Sequence, residues 1–359
     1  MPKHYSYRDA GVNRKQRAES KKALKSLEET YEHSHCGAIM HLPYGNIFPQ
    51  TRNTYLDLVI EGVGTKVLLA QLANQYDTIG VDAVAMAVND VIRSGATPLA
   101  ISDNIHAQAS NPELVNQWLK GIVKGAREAN CPVTSGEIGD VAEIIRGTTE
   151  GAGFDMIVAA IGQVAEEKVI TGKKINPEDP IIGLRSSGLH SNGITLARKI
   201  LFKQWGGKHD TYAKIDGLTR ELIYETLEPT KIYVKSFLKT TEEVAVKAAV
   251  HITGDAYLKF NNLTRFSPGI GFKFTNFKPQ PIFHLLQETA KQLGLTITDD
   301  EMFRTFNMGW GFAIIVDKPD IDKALSILEK TEVEAEQIGE VTDKQKVEIQ
   351  TAQKKIALS

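Results

Sequence analysis

The stretch DAVAMAVNDVIRSGATPLAISD, residues 82–103, limits the fold more than any other part of this chain. Val84, Val88 and Val91 share one face at helical spacing, and small apolar residues surround them. The apolar run TPLAISDNI follows at once as a buried strand, with Pro98 marking its entry. A buried helix feeding a buried strand requires a layered α/β arrangement. Yet Asp82, Asn89 and Asp90 break the apolar surface, with Asp82 and Asn89 two turns apart on one face. Burying such groups without partners costs several kcal/mol. One solution is Mg²⁺, which takes one or two carboxylates together with phosphate oxygens and water. The other is a helix cap at Asp82 and an ion pair at Asp90. The Asn89-Asp90 pair in so apolar a setting favours the ligand reading. Asp103 closes the strand, where open α/β sheets place functional groups.

The rest of the chain gives the layers. Residues 14–30 are charged and helical in pattern, and β-rich pieces fall at 38–42, 55–60 and 78–80. Helices are expected over 63–76 and 82–94. PELVNQWLKGIVKGAREANC is an amphipathic helix with Leu114, Trp118, Ile122 and Val123 inward, and FDMIVAAIGQV is a central strand. Strands and helices alternate without a simple βαβ series, which favours α+β layers over a Rossmann fold. Charge, glycine and proline gather in EEKVITGKKINPEDP, so two α/β-layered domains are expected, 1–166 and 167–359. The second opens with strand, Gly/Ser-rich loop and helix in IIGLRSSGLHSNGITLARKILF.

The 42 basic and 44 acidic side chains leave a net charge of −2, with no general drive toward nucleic acid or anionic membrane. No apolar run approaches a membrane span, and the polar N-terminus lacks a signal-peptide core. Cys36 and Cys131 lie far apart without a CxxC partner, which fits a reducing, cytoplasmic setting.

Three further segments carry chemistry. In Glu61-Gly62-Val63-Gly64-Thr65-Lys66, two glycines allow close approach to an anion, a helix start offers free N–H groups, and Lys66 brings positive charge. The same pattern also suits a plain strand-to-helix connection. Glu61 would repel phosphate unless Mg²⁺ lay between them. In TSGEIGD, residues 134–140, Glu137 follows a Ser-Gly turn after a short strand. In SSGLHSNG, residues 186–193, small and hydroxyl residues before a helix form a second anion site, where His190 could meet a phosphate or move a proton. His251, Thr253, Gly254, Asn261, Arg304 and Asn307 fall near predicted strand ends; each alone reads as structural.

Taken in this order, the segments resemble the aminoimidazole ribonucleotide synthetase (phosphoribosylformylglycinamidine cyclo-ligase) family. The matching stretches are YRDAGV, GVGTKVLLA, DTIGVDAVAMAVNDVIRSGATPL, SSGLHSNG with LARKIL, PTKIYVKS, HITG, MFRTFNMG and IGEV, nearly the whole chain. The resemblance implies an N-terminal domain that dimerises through a shared β-barrel and a C-terminal mixed-sheet domain. ATP and Mg²⁺ would lie between them, and formylglycinamidine ribonucleotide would be cyclised after phosphorylation of its formyl oxygen. It places Gly62, Gly64, Thr65, Lys66, Asn89 and Gly136 at ATP. Glu61, Asp82, Asp90 and Glu137 are the candidate metal ligands. Ser187, Ser191 and Asn192 would contact substrate phosphate, and His190 is the catalytic candidate. The chain departs from the family at Glu61, where aspartate is usual, at SGEIGDVAE, and at HITGDA, where Asp255-Ala256 replaces two glycines. Alternatives are another ATP-dependent superfamily member with a different acceptor, or a non-catalytic nucleotide-binding subunit. Selenophosphate synthetase is disfavoured because Cys36 in HSHCGAIM lacks that family's loop pattern.

Overall fold

The computed structural model describes residues 3–351 and 353–358. Two mixed sheets organise it, each covered on one face by helices. The first has six strands in the order Met40–Leu42, Gly45–Thr51, Thr54–Gly62, Phe154–Ala165, Thr97–Ala107, Val133–Asp140. Its pairings are antiparallel except the last. Along Phe154–Ala165 the even positions are buried and the odd ones half-buried, the period-2 signature of a sheet with one covered face. The sheet is open: among the described residues its two edge strands do not pair with each other, so a single chain closes no barrel.

The helix Asp77–Ile92 lies on the covered face, buried from Ile79 to its end. It begins earlier than the sequence suggests, and residues 78–80, expected to be β-rich, form its first turn. Gly80 explains the difference. It marks a crossing point rather than a turn, because a Cβ there would lie 2.2 Å from the amide nitrogen of Ile122 on the helix Pro112–Ala129. On that partner helix a Cβ at Gly121 would lie 2.2 Å from the Asp77 carbonyl oxygen and one at Gly125 2.9 Å from the Val84 side chain, so the two helices pack closely along this face. A second correction concerns Ser135-Gly136, which is no turn. Both residues lie within the strand Val133–Asp140, and Gly136 leaves room for the Asp103 carboxylate, which a Cβ would meet at 2.6 Å.

The second sheet has seven strands in the order Lys355–Leu358, Val347–Gln350, Gly271–Phe274, Ala335–Thr342, Pro180–Arg185, Trp310–Ile315, Ala248–His251. Its central strands Pro180–Arg185 and Trp310–Ile315 are almost wholly buried. The N-terminal segment packs here rather than on the first sheet. Lys3–His4 runs parallel to Leu295–Thr296, and the helix Arg14–Lys21 is tied down by Arg14–Glu301 at 2.8 Å and Arg17–Asp255 at 2.7 Å.

Polar side chains of the Asp77–Ile92 helix join the halves. Asp82 pairs with Lys66 at 2.8 Å, both fully buried. It also accepts from the Thr230 amide at 2.8 Å, the Thr230 hydroxyl at 2.6 Å and the Ser191 hydroxyl at 3.0 Å. Lys66 donates to the Glu228 carbonyl at 2.7 Å. Asn89 donates to the Lys231 carbonyl and accepts from the Tyr233 amide, both at 2.9 Å. Removing one member of a buried pair strands the other charge. Asp82→Ala should therefore lower the unfolding free energy by about 3–5 kcal/mol, and the double variant with Lys66→Met should recover part of that loss. Chemical denaturation of the three proteins checks this; a single variant within about 1 kcal/mol of wild type removes the pair from its joining role.

Candidate active site

Where the halves meet, a cleft of about 830 Å³ opens beside the last turns of the Asp77–Ile92 helix. Tyr44, Asp57, Glu61, Asp90, Arg93 and Lys259 line it, drawn from both halves of the chain. Glu61 comes from the end of the strand Thr54–Gly62. In the register of the sheet it lies in one row with Val158 and Asp103, on the helix-facing side. Asp90 is almost fully buried, and each of its carboxylate oxygens is held. Arg93, one helical turn on, pairs with one carboxylate oxygen at 2.7 Å, and His251 Nδ1 lies 2.7 Å from the other. The Arg93 side chain also lies over the Tyr44 ring, 5.0 Å from its centre.

The charges settle unequally. Burial opposes ionisation of Asp90, but Arg93, the His251 hydrogen bond and Lys259 outweigh it and hold its carboxyl below the ordinary range. Burial, reinforced by the charge on Asp90, raises Glu61 to about 7 against the pull of Lys259 and Arg93. Burial likewise raises Asp57 to about 6. It lowers Lys259 to about 8, although Asp90 attracts its proton. The cleft thus holds two neighbouring acids of unequal charge, Asp90 ionised and Glu61 taking up a proton near neutrality, with Arg93 and Lys259 beside them.

The four acids expected at one metal site are distributed differently. Glu61 and Asp90 come together, whereas Asp82 is sealed against Lys66. Glu137 is exposed and pairs in register with Asn104, on the face opposite Asp103 and Glu61. Among the described residues, no group of three or more His, Cys, Asp or Glu side chains is arranged to hold a metal ion.

The turn after Glu61 runs into a short 3₁₀ segment, Gly64–Lys66, entered through Gly64 at φ +67°. Its Thr65 hydroxyl meets that of Thr195 at 2.9 Å, another tie between the halves. Nothing stands within 4 Å of where a Gly64 side chain would begin, so this backbone faces open space.

The SSGLHSNG loop is largely occupied with itself and its neighbours. Ser187 donates its hydroxyl to the Pro229 carbonyl at 2.5 Å and its amide to His190 Nε2 at 3.1 Å. Since Nε2 accepts, the imidazole proton sits on Nδ1, which has no partner among the described residues. Burial, then the neighbouring His251, Lys66 and Lys231, pushes the His190 pKa well down, so the ring is neutral. Asn192 is the least engaged polar group of the loop. Its amide nitrogen lies 3.9 Å from the Met86 sulfur, and its oxygen faces Gly254.

Sequence reasoning missed Tyr44, Asp57, Arg93, Lys259 and the Arg17–Asp255 pair. Arg93 had a readable signal, the Asp-x-x-Arg spacing that pairs side chains on one helix. So did Asp255, an acid at a left-handed position (φ +67°) that must find a cation if it is to stay. Lys259 had none, because its place depends on how the 3₁₀ segment Ala256–Arg265 folds back.

Comparison with known proteins identifies the family. Residues 46–164 match the N-terminal domain, and residues 176–352 the C-terminal domain, of the AIR synthase related proteins. A phosphoribosylformylglycinamidine cyclo-ligase of Pyrococcus horikoshii is 37% identical over 90% of this chain and 92% of its own length. Those of Methanocaldococcus jannaschii (37%, covering 94% and 92%) and Alkaliphilus metalliredigens (35%, covering 95% and 96%) are similarly close. Among solved structures, E. coli HypE, a hydrogenase maturation protein, aligns with a TM-score of 0.59 at 18% identity over 85% of each chain. T. maritima PurL complexed with ADP aligns with a TM-score of 0.59 at 14% identity, covering 92% of this chain and 47% of that one. These structural likenesses bear on the fold. Both domain matches and the extent of identity with the cyclo-ligases place the chain in the AIR synthase related family.

Proposed function

We propose that this chain is an ATP-dependent cyclo-ligase of purine biosynthesis, closing the imidazole ring of aminoimidazole ribonucleotide from formylglycinamidine ribonucleotide. The formyl oxygen attacks the γ-phosphorus of ATP and ADP departs. A substrate nitrogen then attacks the activated carbon, phosphate leaves with the former formyl oxygen, and the nitrogen gives up a proton. Amide oxygen is a poor leaving group and phosphate a good one. The protein's task is therefore to position the partners and balance charge.

The observation that carries this reading is the Glu61–Asp90 pair in a cleft between the halves. At about 830 Å³ the cleft is within the size range of small-molecule sites, ~300–1,000 Å³. Two neighbouring hard oxygen donors suit Mg²⁺, which completes its shell with water and phosphate oxygens. When bound, the ion would neutralise phosphate charge. Gly62 and Gly64 would let the backbone approach the nucleotide, and Thr65 would stand beside them. Asn192, facing Gly254, is assigned to the ribonucleotide phosphate, with Ser187 and Ser191 shaping the loop. His190 is given a positioning role, because its Nε2 orients the Ser187 amide. Asp82 and Asn89 hold the helix that presents Asp90, and Gly136 makes room for Asp103.

The uncovered face of the six-stranded sheet supports a homodimer. Leu58, Ile60 and Leu99 are 59%, 69% and 43% exposed there, an apolar surface that a second copy would bury while completing a barrel.

Three outcomes are expected. Purified protein with Mg²⁺, ATP and formylglycinamidine ribonucleotide should release ADP, phosphate and aminoimidazole ribonucleotide, identified by mass; absence of the ring product from folded protein defeats the reading. Glu61→Gln should weaken ATP binding by at least about tenfold when Mg²⁺ is present, the scale of disturbing a metal's surroundings. With a chelator added, the two proteins should bind ATP alike, and calorimetry reads both. Leu58→Glu should convert a dimer into a monomer by light scattering, and a monomeric wild type would refute the assigned interface.

A further inference from the structure

Lys66 is the lysine the sequence offers to a nucleotide phosphate, but its ammonium is sealed in an interior ion pair. It is completely buried, with Asp82 oxygens at 2.9 and 2.8 Å and the Glu228 carbonyl at 2.7 Å. The ammonium is held on its buried side by this carboxylate and carbonyl, and Lys66 does not line the cleft. Turning it outward would abandon Asp82 in the interior and open the joint between the halves.

Lys259 is placed differently. It lines the cleft with Glu61, Asp90 and Arg93. Two of its donors are used, on the His251 carbonyl at 3.1 Å and on the Thr253 hydroxyl. The third has no acceptor among the described residues. Those two bonds hold the side chain against the 251–253 backbone, so the ammonium is fixed rather than swinging on its stem. Arg93, the cation beside Asp90, is spent on it, through the carboxylate at 2.7 Å and the Asp90 carbonyl at 3.0 Å.

We propose that Lys259, not Lys66, supplies the ammonium that contacts the terminal phosphates of the nucleotide in this cleft. The proposal rests on the nucleotide reading above and deepens it by exchanging the expected lysine. The remaining N–H of Lys259 donates to a phosphate oxygen as negative charge shifts toward the departing ADP. No proton changes hands, and the ammonium stays charged throughout. A lysine that merely tied down the 251–259 turn would not distinguish a triphosphate from a monophosphate. That difference is the test.

Full-length wild type, Lys259→Met and Lys259→Arg are titrated calorimetrically with ATP and with AMP, both with Mg²⁺. Lys259→Met should bind ATP about 10- to 100-fold more weakly, the scale of a hydrogen bond to a charged group. It should bind AMP within about twofold of wild type, and Lys259→Arg should regain part of the ATP affinity. If Lys259→Met does not fold by circular dichroism, Lys259→Gln keeps a donor for His251 and Thr253 and carries the same comparison. Unchanged ATP affinity in a folded variant overturns the proposal. Equal weakening toward ATP and AMP overturns it too, by making Lys259 a tether. A wild type that binds no ATP defeats the nucleotide reading itself, a failure distinct from either.

Discussion

The sealed Lys66–Asp82 ion pair is the joint on which the geometry of the molecule depends. Taking both charges out of water is costly, and attraction at 2.8 Å offsets that cost only when the remaining donors and acceptors are also satisfied. Here Asp82 Oδ1 and the Lys66 ammonium find further partners, and these belong to the other half of the chain: Ser191, Glu228 and Thr230. An apolar contact in the same place would tolerate a slide of one residue. This one does not, because a slide would leave several buried polar groups unpaired. Asn89 repeats the device two turns along the helix, on the backbone of Lys231 and Tyr233. The relative placement of the two sheets is therefore specified by hydrogen bonds rather than by area alone.

The cleft inherits its form from that joint. Because Asp82 and Asn89 fix the rotation of the Asp77–Ile92 helix, Asp90 is delivered to one wall with its carboxylate toward His251 from the second sheet. Glu61 reaches the same place from the strand Thr54–Gly62, and the two acids then compete for charge. Arg93 and His251 decide the contest in favour of Asp90, which leaves Glu61 raised to about 7. A pair so arranged takes up and releases a proton near neutrality, so an acid can stand directly ahead of the glycine turn without a full buried charge.

Much of the layered fold was legible in the sequence, because alternating burial in FDMIVAAIGQV and the amphipathic stripe of PELVNQWLKGIVKGAREANC are local signals. The misread places are those where a glycine serves distant packing. Gly80 reads as the end of a β-rich piece until Gly121 is found against it, and Gly136 reads as a turn until Asp103 is found filling its space. The site was half legible for a related reason. Asp90 announced itself as a charge in an apolar helix, and Lys66 as a cation beside glycines. Sequence could not tell that Lys66 would be used up by Asp82, because that pairing is made across a folded interior. Nor could it supply Lys259, whose approach is set by a 3₁₀ segment with no periodic pattern of its own.

The Asp255 substitution shows how a departure from family pattern can be compensated within one chain. Asp255 and Ala256 keep positive φ angles of 67° and 42°, conformations that glycine adopts freely and that cost other residues of order 1–3 kcal/mol each. The strain is opposed by Arg17, whose guanidinium nitrogen lies 2.7 and 2.8 Å from the two Asp255 oxygens. That contact matters because the helix Arg14–Lys21 has no buried residue and so no core of its own. It is held through Arg14 and Arg17, and the segment running on from it places Lys21, Leu24 and Glu28 along the cleft. Glycine at 255 would relax the turn and release one anchor of that wall. The acid at 255 is thus tied to the cleft through the N-terminal helix, although it lies outside the Glu61–Asp90 pair.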